Sequence, residues 1–470
     1  MFDLILNRSP ILSVAAVYNT IDKSIHALCV ENHLKPNVTG NIYVGKVVNI
    51  IDATEGAFVD IGLNANGYIQ RNTLLKGLNI TPSKVKDKPL SQLVKKGQQI
   101  LCQVDKSPYQ NKGAELTTDI SLPGRYVVLM PRMRGVRISR KAKGQLDLTA
   151  LEAEIQVALG GQYGAIIRSA AIIDAVPTYA LIEEIKLLIE QWKALMIQAN
   201  LVATIKCLYR YDAFYESLLN TLHGVAIDKA LVSTLEDKVF LSKCGVDANK
   251  ITVKQTQSNH YTDLGLPIDQ TLKGTVIKSS TGVSVTINEL EAFTVADVNS
   301  GSYNAPVAKR VMVFDANTIA SEIILKSILI KNLSGILMVD FIDMSSEEQN
   351  AFIHHLNQLG FNKTNGITIE GFTKLGVLEM SRKRESASLK DLLSFEYLNA
   401  DYGYWTLENL YYDLKRLQTH TNSKQVTVFV DHEMYKFLRQ SNVFSDLEIK
   451  INLKPGLDYE KKYKLSTAKD

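Results

Sequence analysis

With 470 residues, the chain is long enough to hold roughly three domains and to bury large cores. Its 46% hydrophobic and 22% charged residues are ordinary for a soluble globular protein, and a net charge of +4 does not by itself indicate a polyanionic partner. The cysteines form no CxxC pair. No apolar run approaches the roughly 20 residues of a membrane helix, and residues 1–7 make a poor signal peptide. We therefore expect a cytoplasmic protein without a membrane span.

The first predicted strands are short and lie next to turns. Apolar runs at residues 11–17 and 25–30 predict a β-hairpin, which is only marginally stable alone and must pair with a later part of the chain. Between residues 40 and 122, five short strands with glycine at the corners are typical of an OB-fold barrel. Such barrels stack single-stranded bases on aromatic side chains beside a positive groove. Phe58 and Tyr68 are the expected stacking platforms, and Lys112 is the expected phosphate contact.

The middle of the chain alternates strands and helices. Residues 164–171 predict a strand, and residues 179–199 predict a long helix whose apolar stripe is typical of a core. Strands and helices also alternate from residue 200 to 270. Near the end, residues 404–453 predict a small α/β unit, and the polar residues from 461 onward are expected to fray.

Acidic residues at predicted strand ends stand out between residues 291 and 344. Asp297 and Asn299 follow one apolar run, and Asp340 and Asp343 follow another. Carboxylates that converge from two strands suit Mg²⁺, which takes oxygen ligands and is usually held by one or two carboxylates plus substrate phosphate. An Asp after a strand is also a common helix cap or turn residue, so the residue types alone leave both interpretations open.

Several short stretches of the sequence resemble stretches of the bacterial ribonuclease E/G family, and they occur in the family's order along the chain. The barrel string GNIYVGKVVNIIDATEGAFVDIGLNANGYI is followed by LTTDISLPGRYVVLMP, GAIIRSAA, DVNSG, VDFIDM and LGVLEMSRKR. A barrel string alone would be weak, because many RNA-binding proteins contain one. The ordered set spans roughly residues 1–455 and is far more specific.

The resemblance implies a multidomain α+β protein. An RNase H-like domain would comprise residues 1–36 and 203–272, interrupted by an OB-fold RNA-binding domain at 37–122 and a 5′-sensor subdomain at 123–202. A DNase I-like catalytic domain at 273–393, a linker at 394–404 and a small α/β domain at 405–460 would follow.

The resemblance also assigns roles to individual residues. Asp297 and Asp340 would hold one Mg²⁺, and Asn299 would orient or hydrogen-bond the scissile phosphate unless it is only a turn amide. Asp343 would bind a metal-bound water or simply cap the next helix. The RNA 5′-phosphate would be read by three groups, the Arg168 guanidinium, the hydroxyl of Ser169, where the family typically has Thr, and the Val128 backbone.

The sequence departs from the family in three places. The family's CPxC motif is absent, so zinc is not expected, and a homodimer or homotetramer would not be linked by zinc; apolar residues such as Leu393 and Trp405 would supply the contact instead. The segment at residues 310–330 has fewer charges than the resemblance implies. Acidic residues and several arginines are expected there, and the residues found are Arg310, Val311, Ile319, Leu329 and Ile330. Gly366 stands where a basic residue would support the 5′ pocket, although Lys363 is near.

The expected function is a Mg²⁺-dependent endoribonuclease for single-stranded RNA. The resemblance implies AU-rich targets, stimulation by a 5′-monophosphate, 3′-hydroxyl and 5′-phosphate products, and a role in rRNA or tRNA processing or mRNA decay. One alternative is a catalytically impaired RNA-binding or assembly protein of the same family, suggested by residues 310–330. Retention of all four polar residues near the metal argues against it. A translation-associated barrel protein is a third hypothesis, weakened by the long chain after the barrel.

Overall fold

The computed structural model describes residues 1–78, 80–108, 112–139, 149–256, 259–290, 292–301, 309–362, 365–384, 386–394, 403–420, 425–456 and 463–467. The chain forms two compact units. The split unit comprises Met1–Lys35 and Ala226–Asp470, and the inserted unit comprises Pro36–Val225. Both contain helices and sheets, so the predicted mixed α+β class is confirmed. No helix in the described ranges is long and apolar enough to cross a membrane.

The split unit begins with an antiparallel meander. Its strands are β1 (Phe2–Arg8), β2 (Leu12–Asn19) and β3 (Ser24–Asn32). β1 pairs with β2, and β2 pairs with β3. The apolar run that predicted the hairpin is β2, which is buried from Leu12 to Val17 because both of its faces are covered.

The inserted unit begins with a closed barrel. Its described strands are β4 (Ile42–Ile51), β5 (Gly56–Asp60), β6 (Gly67–Gln70), β7 (Gln99–Lys106) and β8 (Glu115–Thr117), with α1 (Arg71–Gly77) and α2 (Leu90–Leu93) between β6 and β7. They hydrogen-bond in the order β4-β5-β6-β8-β7, and β7 pairs with β4 again to close the ring. This arrangement confirms the predicted OB-like barrel.

A smaller sheet follows the barrel in the inserted unit. Its strands are β9 (Leu122–Pro123), β10 (Val127–Met130), β11 (Gly135–Ile138) and β12 (Gly164–Ile167). The helices are α3 (Thr149–Ala158), α4 (Ser169–Ile173) and α5 (Thr178–Leu201). The predicted stripe of α5, from Leu181 to Leu195, packs into the core of this sheet.

The inserted unit ends with a strand that returns to the barrel. β13 (Lys206–Tyr209) pairs with β4, and α6 (Ala213–Leu222) follows it. These two elements belong to the inserted unit, which extends to Val225. The pairing of β13 with β4 spans more than 150 residues, which local sequence does not encode.

The chain then rejoins the first sheet of the split unit. β14 (Ile227–Val232) pairs in parallel with β1, and β15 (Ile251–Val253) pairs in parallel with β14. The strand order is β15-β14-β1-β2-β3, so the opening meander does pair with a later segment, as predicted. The accompanying helices are α7 (Leu235–Lys243), α8 (His260–Asp263) and α9 (Ile268–Lys273).

A second sheet of the split unit carries the acidic segment. Its strands are β16 (Val276–Lys278), β17 (Ser284–Glu289), β18 (Phe293–Asn299), β19 (Gly335–Asp340), β20 (Ile367–Phe372) and β21 (Val377–Arg382). They lie in the order β16-β17-β18-β19-β21-β20, and only β18 and β19 pair in parallel. α10 (Lys309–Lys331) connects these two strands, and α11 (Ser346–Leu359) follows β19.

The last elements form a small sheet with helices. They are α12 (Leu389–Leu393), α13 (Gly403–His420), β22 (Gln425–Val430), α14 (His432–Gln440), β23 (Lys450–Pro455) and β24 (Tyr463–Thr467). β22 lies between parallel β23 and antiparallel β24. The expectation of a frayed end from 461 was wrong for residues 463–467, because β24 pairs with β22.

The small sheet shares one hydrophobic core with the opening meander. Leu393 and Trp405 are buried in this core, and the Trp405 indole N–H donates to Asp269 at 2.6 Å. The expectation that these two residues form an apolar contact between subunits was therefore wrong, since their side chains pack inside their own chain. Residues 395–402, most of the predicted linker 394–404, lie outside the described residues.

Glu408 on α13 is a carboxyl group inside this core. Only 1% of the residue is exposed, and the Ser9 hydroxyl donates to its Oε2 at 2.5 Å. Burial raises the pKa of Glu408 to about 8, against the lowering effect of the bonds from Ser9 and the Leu12 backbone. The folded chain therefore retains a proton on Glu408 at pH values where an exposed glutamate has lost it.

This proton makes stability depend on pH. Between pH 4.5 and 8, unfolding releases it, so we expect the free energy of unfolding to fall by up to about 1.4 kcal/mol per pH unit as pH rises. Glu408→Gln, which is always neutral, should flatten this slope, and exposed Glu433→Gln should not. Urea unfolding at several pH values between 5 and 8 measures the slope; equal slopes in wild type and Glu408→Gln would contradict the prediction.

Candidate active site

Two carboxylates are brought together by the register of β18 and β19. In this parallel pair, Asp297 lies directly opposite Asp340. Neighbouring positions Ala296 and Val339 are also opposite each other and are buried in the core, while both aspartates are exposed. Because side chains alternate between the two faces of a strand, the aspartates share the face that points away from the core. The sequence predicted that they belong to different strands, and the structure places them on adjacent ones.

Asn299 holds the first carboxylate. It lies two residues after Asp297 on the same face of β18, and its amide Nδ2 donates to Asp297 Oδ2 at 2.6 Å. Its side chain is therefore not simply a turn amide, because it fixes the carboxylate rotamer. The strand then ends in a tight turn at Gly301, whose φ is +53° and where a Cβ would lie 2.4 Å from the Gly282 carbonyl oxygen. Only glycine suits this position.

Sequence reasoning missed the residue that fixes the second strand end. Asn317, buried on α10, donates from Nδ2 to the Ile342 carbonyl at 2.9 Å and accepts from the Ile342 N–H at 3.0 Å. One side chain thus satisfies both backbone groups of a residue that lies between Asp340 and Asp343. The only local signal is a polar residue within a largely apolar helix, and the partner of Asn317 is visible only in the fold.

Asp343 occupies the loop after β19 and is exposed. The alternative that it caps the following helix was wrong: Ser345 is the N-cap of α11 and forms a capping box with Glu348. Ser345 fits this role because its hydroxyl accepts from an N–H of the first turn while Glu348 accepts from the Ser345 N–H. Asp343 is thus left without the capping role.

Two hydroxyl residues extend the polar face and were not predicted. Thr286 lies opposite Asp297, and Ser284 lies opposite Asn299, in the antiparallel pairing of β17 with β18. The alternating pattern of β17, in which Val285 and Ile287 are buried, contained this signal. The face therefore presents hydroxyl, amide and carboxylate groups in adjacent rows, which suits a polar substrate.

The chemistry of the donors fits a hard divalent cation. Asp297 and Asp340 are adjacent like charges, and a cation bound between them would relieve their repulsion. Within the described ranges, no group of three or more His, Cys, Asp or Glu side chains could hold a metal, so Asp343 is not gathered with the other two as a third ligand. Two carboxylates leave the remaining positions of an octahedral ion for water and substrate oxygens.

A separate cluster in the inserted unit surrounds Arg168. Its Nη1 donates to the Gly124 carbonyl at 2.8 Å and to Glu216 Oε2 at 2.7 Å, and its Nη2 donates to Asn220 Oδ1 at 2.9 Å. Burial raises the pKa of Glu216, and the adjacent Arg168 lowers it. The guanidinium is therefore already engaged by a carboxylate within its own unit.

The other two residues predicted for this pocket, Ser169 and Val128, lie near Arg168 in the fold. Ser169 begins α4, directly after Arg168, and is half-buried. Val128 pairs with Ile166 in the sheet, and the next pair towards Arg168 is Val127 with Ile167. The Arg168 N–H donates to the Tyr126 carbonyl at 2.8 Å, which ties the end of β12 to the start of β10. The fold thus brings β10 alongside the segment that carries Arg168 and Ser169.

The barrel presents the two predicted aromatic residues side by side. Phe58 on β5 lies opposite Tyr68 on β6, and their half-buried rings meet edge to face with centroids 5.7 Å apart. The Tyr68 hydroxyl donates to the Thr54 carbonyl at 3.0 Å, and a Cβ at Gly56 would lie within 2.4 Å of the Tyr68 ring. The ring is therefore held in one position, while Lys112 is exposed just before β8.

The altered segment 310–330 is almost all of α10. Val311 and Leu329 are exposed, and Arg310 is a largely exposed side chain 3.6 Å from Glu348. Ile330 is buried in the core, so its apolar character has a packing reason. These substitutions leave the Asp297–Asp340 pair in place. Gly366 has φ +72° in the turn before β20, and Lys363 lies outside the described residues.

Comparisons with known proteins relate the chain to bacterial ribonucleases. A sequence model of the ribonuclease E/G family matches residues 121–385, a range that contains both the Arg168 cluster and the aspartate pair. Ribonuclease G of Escherichia coli strain K12 is 29% identical over 410 residues, which cover 84% of this chain and 82% of that protein. Ribonuclease E of a Nostoc species is 30% identical over 366 residues, which cover 75% of this chain and 52% of that protein.

Proposed function

Because the chain belongs to the ribonuclease E/G family and is an endoribonuclease, we propose that it hydrolyses single-stranded RNA at the Asp297–Asp340 pair with the help of Mg²⁺. The observation that carries this proposal is the register of β18 and β19, which sets two exposed carboxylates side by side. The products would have 3′-hydroxyl and 5′-phosphate ends, as hydrolysis by water at phosphorus can give.

The residues of the site have distinct tasks. Asp297 and Asp340 would hold the Mg²⁺, which when bound supplies a Lewis acid for the phosphodiester and lowers the pKa of water. Asn299 orients Asp297 through its amide, and Asn317 fixes the loop that leads from Asp340 to Asp343. Asp343 would hydrogen-bond a metal-bound water from that loop. Thr286 and Ser284 would hydrogen-bond RNA phosphate or ribose oxygens along the same face.

The inserted unit would bind the RNA strand. Phe58 and Tyr68 offer stacking surfaces and Lys112 a phosphate contact, which suits unpaired segments. The preference for AU-rich segments is proposed from family membership alone. Arg168, Ser169 and the Val128 backbone would receive a 5′-monophosphate and thereby stimulate cleavage. We assign rRNA or tRNA processing or mRNA decay as the biological setting, in the cytoplasm.

Family membership also supports finer structural proposals. The β15-β14-β1-β2-β3 sheet would belong to an RNase H-like domain of residues 1–36 and 203–272, and the six-stranded sheet to a DNase I-like domain of residues 273–393. Without the CPxC motif, a homodimer or homotetramer would assemble without zinc.

The test uses a short single-stranded RNA labelled at its 3′ end. We expect internal cleavage with Mg²⁺, no cleavage with excess EDTA, and recovery when Mg²⁺ is added back. Ligation or phosphatase treatment of the products identifies their ends. Tight RNA binding without cleavage at any Mg²⁺ concentration would instead support the alternative, an RNA-binding or assembly protein, for which the exposed apolar residues Val311 and Leu329 on α10 are the supporting observation.

The stacking role of the barrel can be tested separately. Tyr68→Ala should weaken binding of single-stranded RNA by about 1–2 kcal/mol, because it removes the ring on which a base stacks. Tyr68→Phe is the matched control: it loses the hydrogen bond to Thr54 and keeps the ring, so its affinity should stay near wild type. Fluorescence anisotropy without metal measures both. Equal weakening by the two variants would show that the hydroxyl, and not stacking, matters.

A further inference from the structure

We propose that Glu216 determines how strongly this enzyme responds to the 5′ end of its RNA, because its carboxylate occupies the Arg168 guanidinium that a 5′-monophosphate would use. The inference rests on the proposed 5′-phosphate pocket and concerns its selectivity. It predicts that the wild-type protein discriminates weakly between 5′-monophosphate and 5′-hydroxyl RNA.

The geometry of Arg168 supports direct competition. A guanidinium binds phosphate best when a pair of its N–H groups faces two phosphate oxygens. Nη1 is here shared between Glu216 and the Gly124 carbonyl, and Nη2 is bonded to Asn220. The side chains of Arg168 and Glu216 are only 15% and 9% exposed, so solvent screens their ion pair little. A phosphate group must therefore displace Glu216 or bind beside a negative charge.

The charges around the Arg168–Glu216 pair also disfavour binding of a phosphate group. Glu184 faces the pocket from α5 and accepts from the Tyr126 N–H at 3.0 Å; burial raises its pKa, and Arg168 is among the groups that act against this rise. Asp174 lies 3.7 Å from His223, whose pKa is lowered by burial and, among nearby charges, by Arg168. Arg125 adds one guanidinium to the group. Among the described side chains named here, the carboxylates of Glu216, Glu184 and Asp174 offset the guanidinium groups of Arg168 and Arg125, so this set has no surplus positive charge for a phosphate dianion.

The placement of Glu216 makes its charge separable from its packing. It lies in the first turn of α6, where the helix is capped by Asp212, whose side chain accepts from the Tyr215 N–H at 2.8 Å. Glu216→Gln keeps the shape of the side chain and an oxygen that can accept from Arg168. It removes only the negative charge, so the helix and the position of Arg168 are expected to persist.

The experiment compares one RNA sequence with either a 5′-monophosphate or a 5′-hydroxyl. The ratio of kcat/KM for the two RNAs is measured for wild type, Glu216→Gln and Glu190→Gln, an exposed residue of α5 paired with Lys193 that serves as the control. We expect Glu216→Gln to raise the ratio about three- to tenfold, the effect of removing one like charge near the phosphate. Glu190→Gln should leave it unchanged. Arg168→Gln added to Glu216→Gln should bring the ratio back to about one.

A purely structural role for Glu216 would change both rates together and leave the ratio constant, which would overturn the inference. As a second variant, Asn220→Asp adds a carboxylate on the other side of the guanidinium and should lower the ratio; an increase would also count against the inference. The ratio of dissociation constants of the two RNAs, measured without metal, gives the same comparison independently of cleavage. If no RNA is cleaved but the ratio of dissociation constants shifts as expected, the proposed catalysis is refuted and the role of Glu216 is not.

Discussion

Asp340→Asn and Asp297→Asn are each expected to lower the rate of RNA cleavage by a factor on the order of a thousand, without weakening RNA binding to the barrel. The two carboxylates lie opposite each other on adjacent parallel strands and are the proposed ligands of one Mg²⁺. Replacing either by an amide removes half of the protein's charge at the site. Single-turnover cleavage of 3′-labelled RNA at saturating Mg²⁺ measures the loss.

Thermal unfolding provides a second readout that does not depend on activity. Without metal, either substitution removes a repulsion between like charges, so the variants should be at least as stable as the wild type. Added Mg²⁺ should stabilise the wild type, since it binds the folded state, and should stabilise the variants less. Glu379→Gln is the matched control, because Glu379 is an exposed carboxylate of the same sheet that pairs with Met338 and not with Asp340. Cleavage by Asp340→Asn within tenfold of wild type would exclude the proposed site.

The elements that sequence predicted well are those with strong local patterns. The barrel strands alternate apolar and polar residues between glycine corners, and the structure contains the five strands expected between residues 40 and 122. α11 and α14, at 346–359 and 432–440, carry their start signals in the local sequence, because a capping Ser345 and a capping Asp431 precede them. The pairing of Asp297 with Asp340 was predictable only as a convergence of two strands.

Features that depend on distant partners were not predictable. β18 extends through Asn299, so Asp297 lies within a strand and not after one, and its register with β19 places Ala296 opposite Val339. β13 is a short strand whose partner β4 lies more than 150 residues earlier, and β24 itself lies beyond the point at which the chain end was expected to fray. Glu216 sits on a helix with no motif of its own, and only the fold shows that it meets Arg168.

The Arg168 cluster shows how a matched motif can differ in chemistry. The string around Arg168 resembles the family's 5′ pocket, yet its guanidinium already has a carboxylate partner in this chain. A resemblance fixes the identity of residues in the motif and says nothing about neighbours contributed by other elements. The roles of Arg168, Ser169 and Val128 therefore stay predictions. The comparison of 5′-monophosphate and 5′-hydroxyl RNA with Glu216→Gln tests whether the neighbouring carboxylate changes how the motif responds to the 5′ end.

Asn317→Leu is expected to lower both stability and catalysis. The substitution keeps the branched outline of the side chain, but it leaves the Ile342 N–H and carbonyl without their partner in a partly buried position, at a cost of about 2–4 kcal/mol in the free energy of unfolding. The loop from Phe341 to Met344 would then no longer be fixed relative to α10. Since Asp340 precedes this loop and Asp343 lies in it, we expect kcat to fall about 10- to 100-fold with little change in KM.

A positioning role predicts more than a loss of stability. If Asn317 fixes the metal-binding loop, Asn317→Leu should need a higher Mg²⁺ concentration for half-maximal cleavage, because loop ordering must then accompany metal binding. Ser327→Ala is the control: this buried hydroxyl of α10 donates to the Ile323 carbonyl of its own helix. Its loss should reduce stability slightly and leave the Mg²⁺ requirement unchanged. If both variants showed the same Mg²⁺ requirement as wild type, Asn317 would be a core hydrogen-bonding residue alone, and the loop would owe its position to the packing of Phe341 against Phe352.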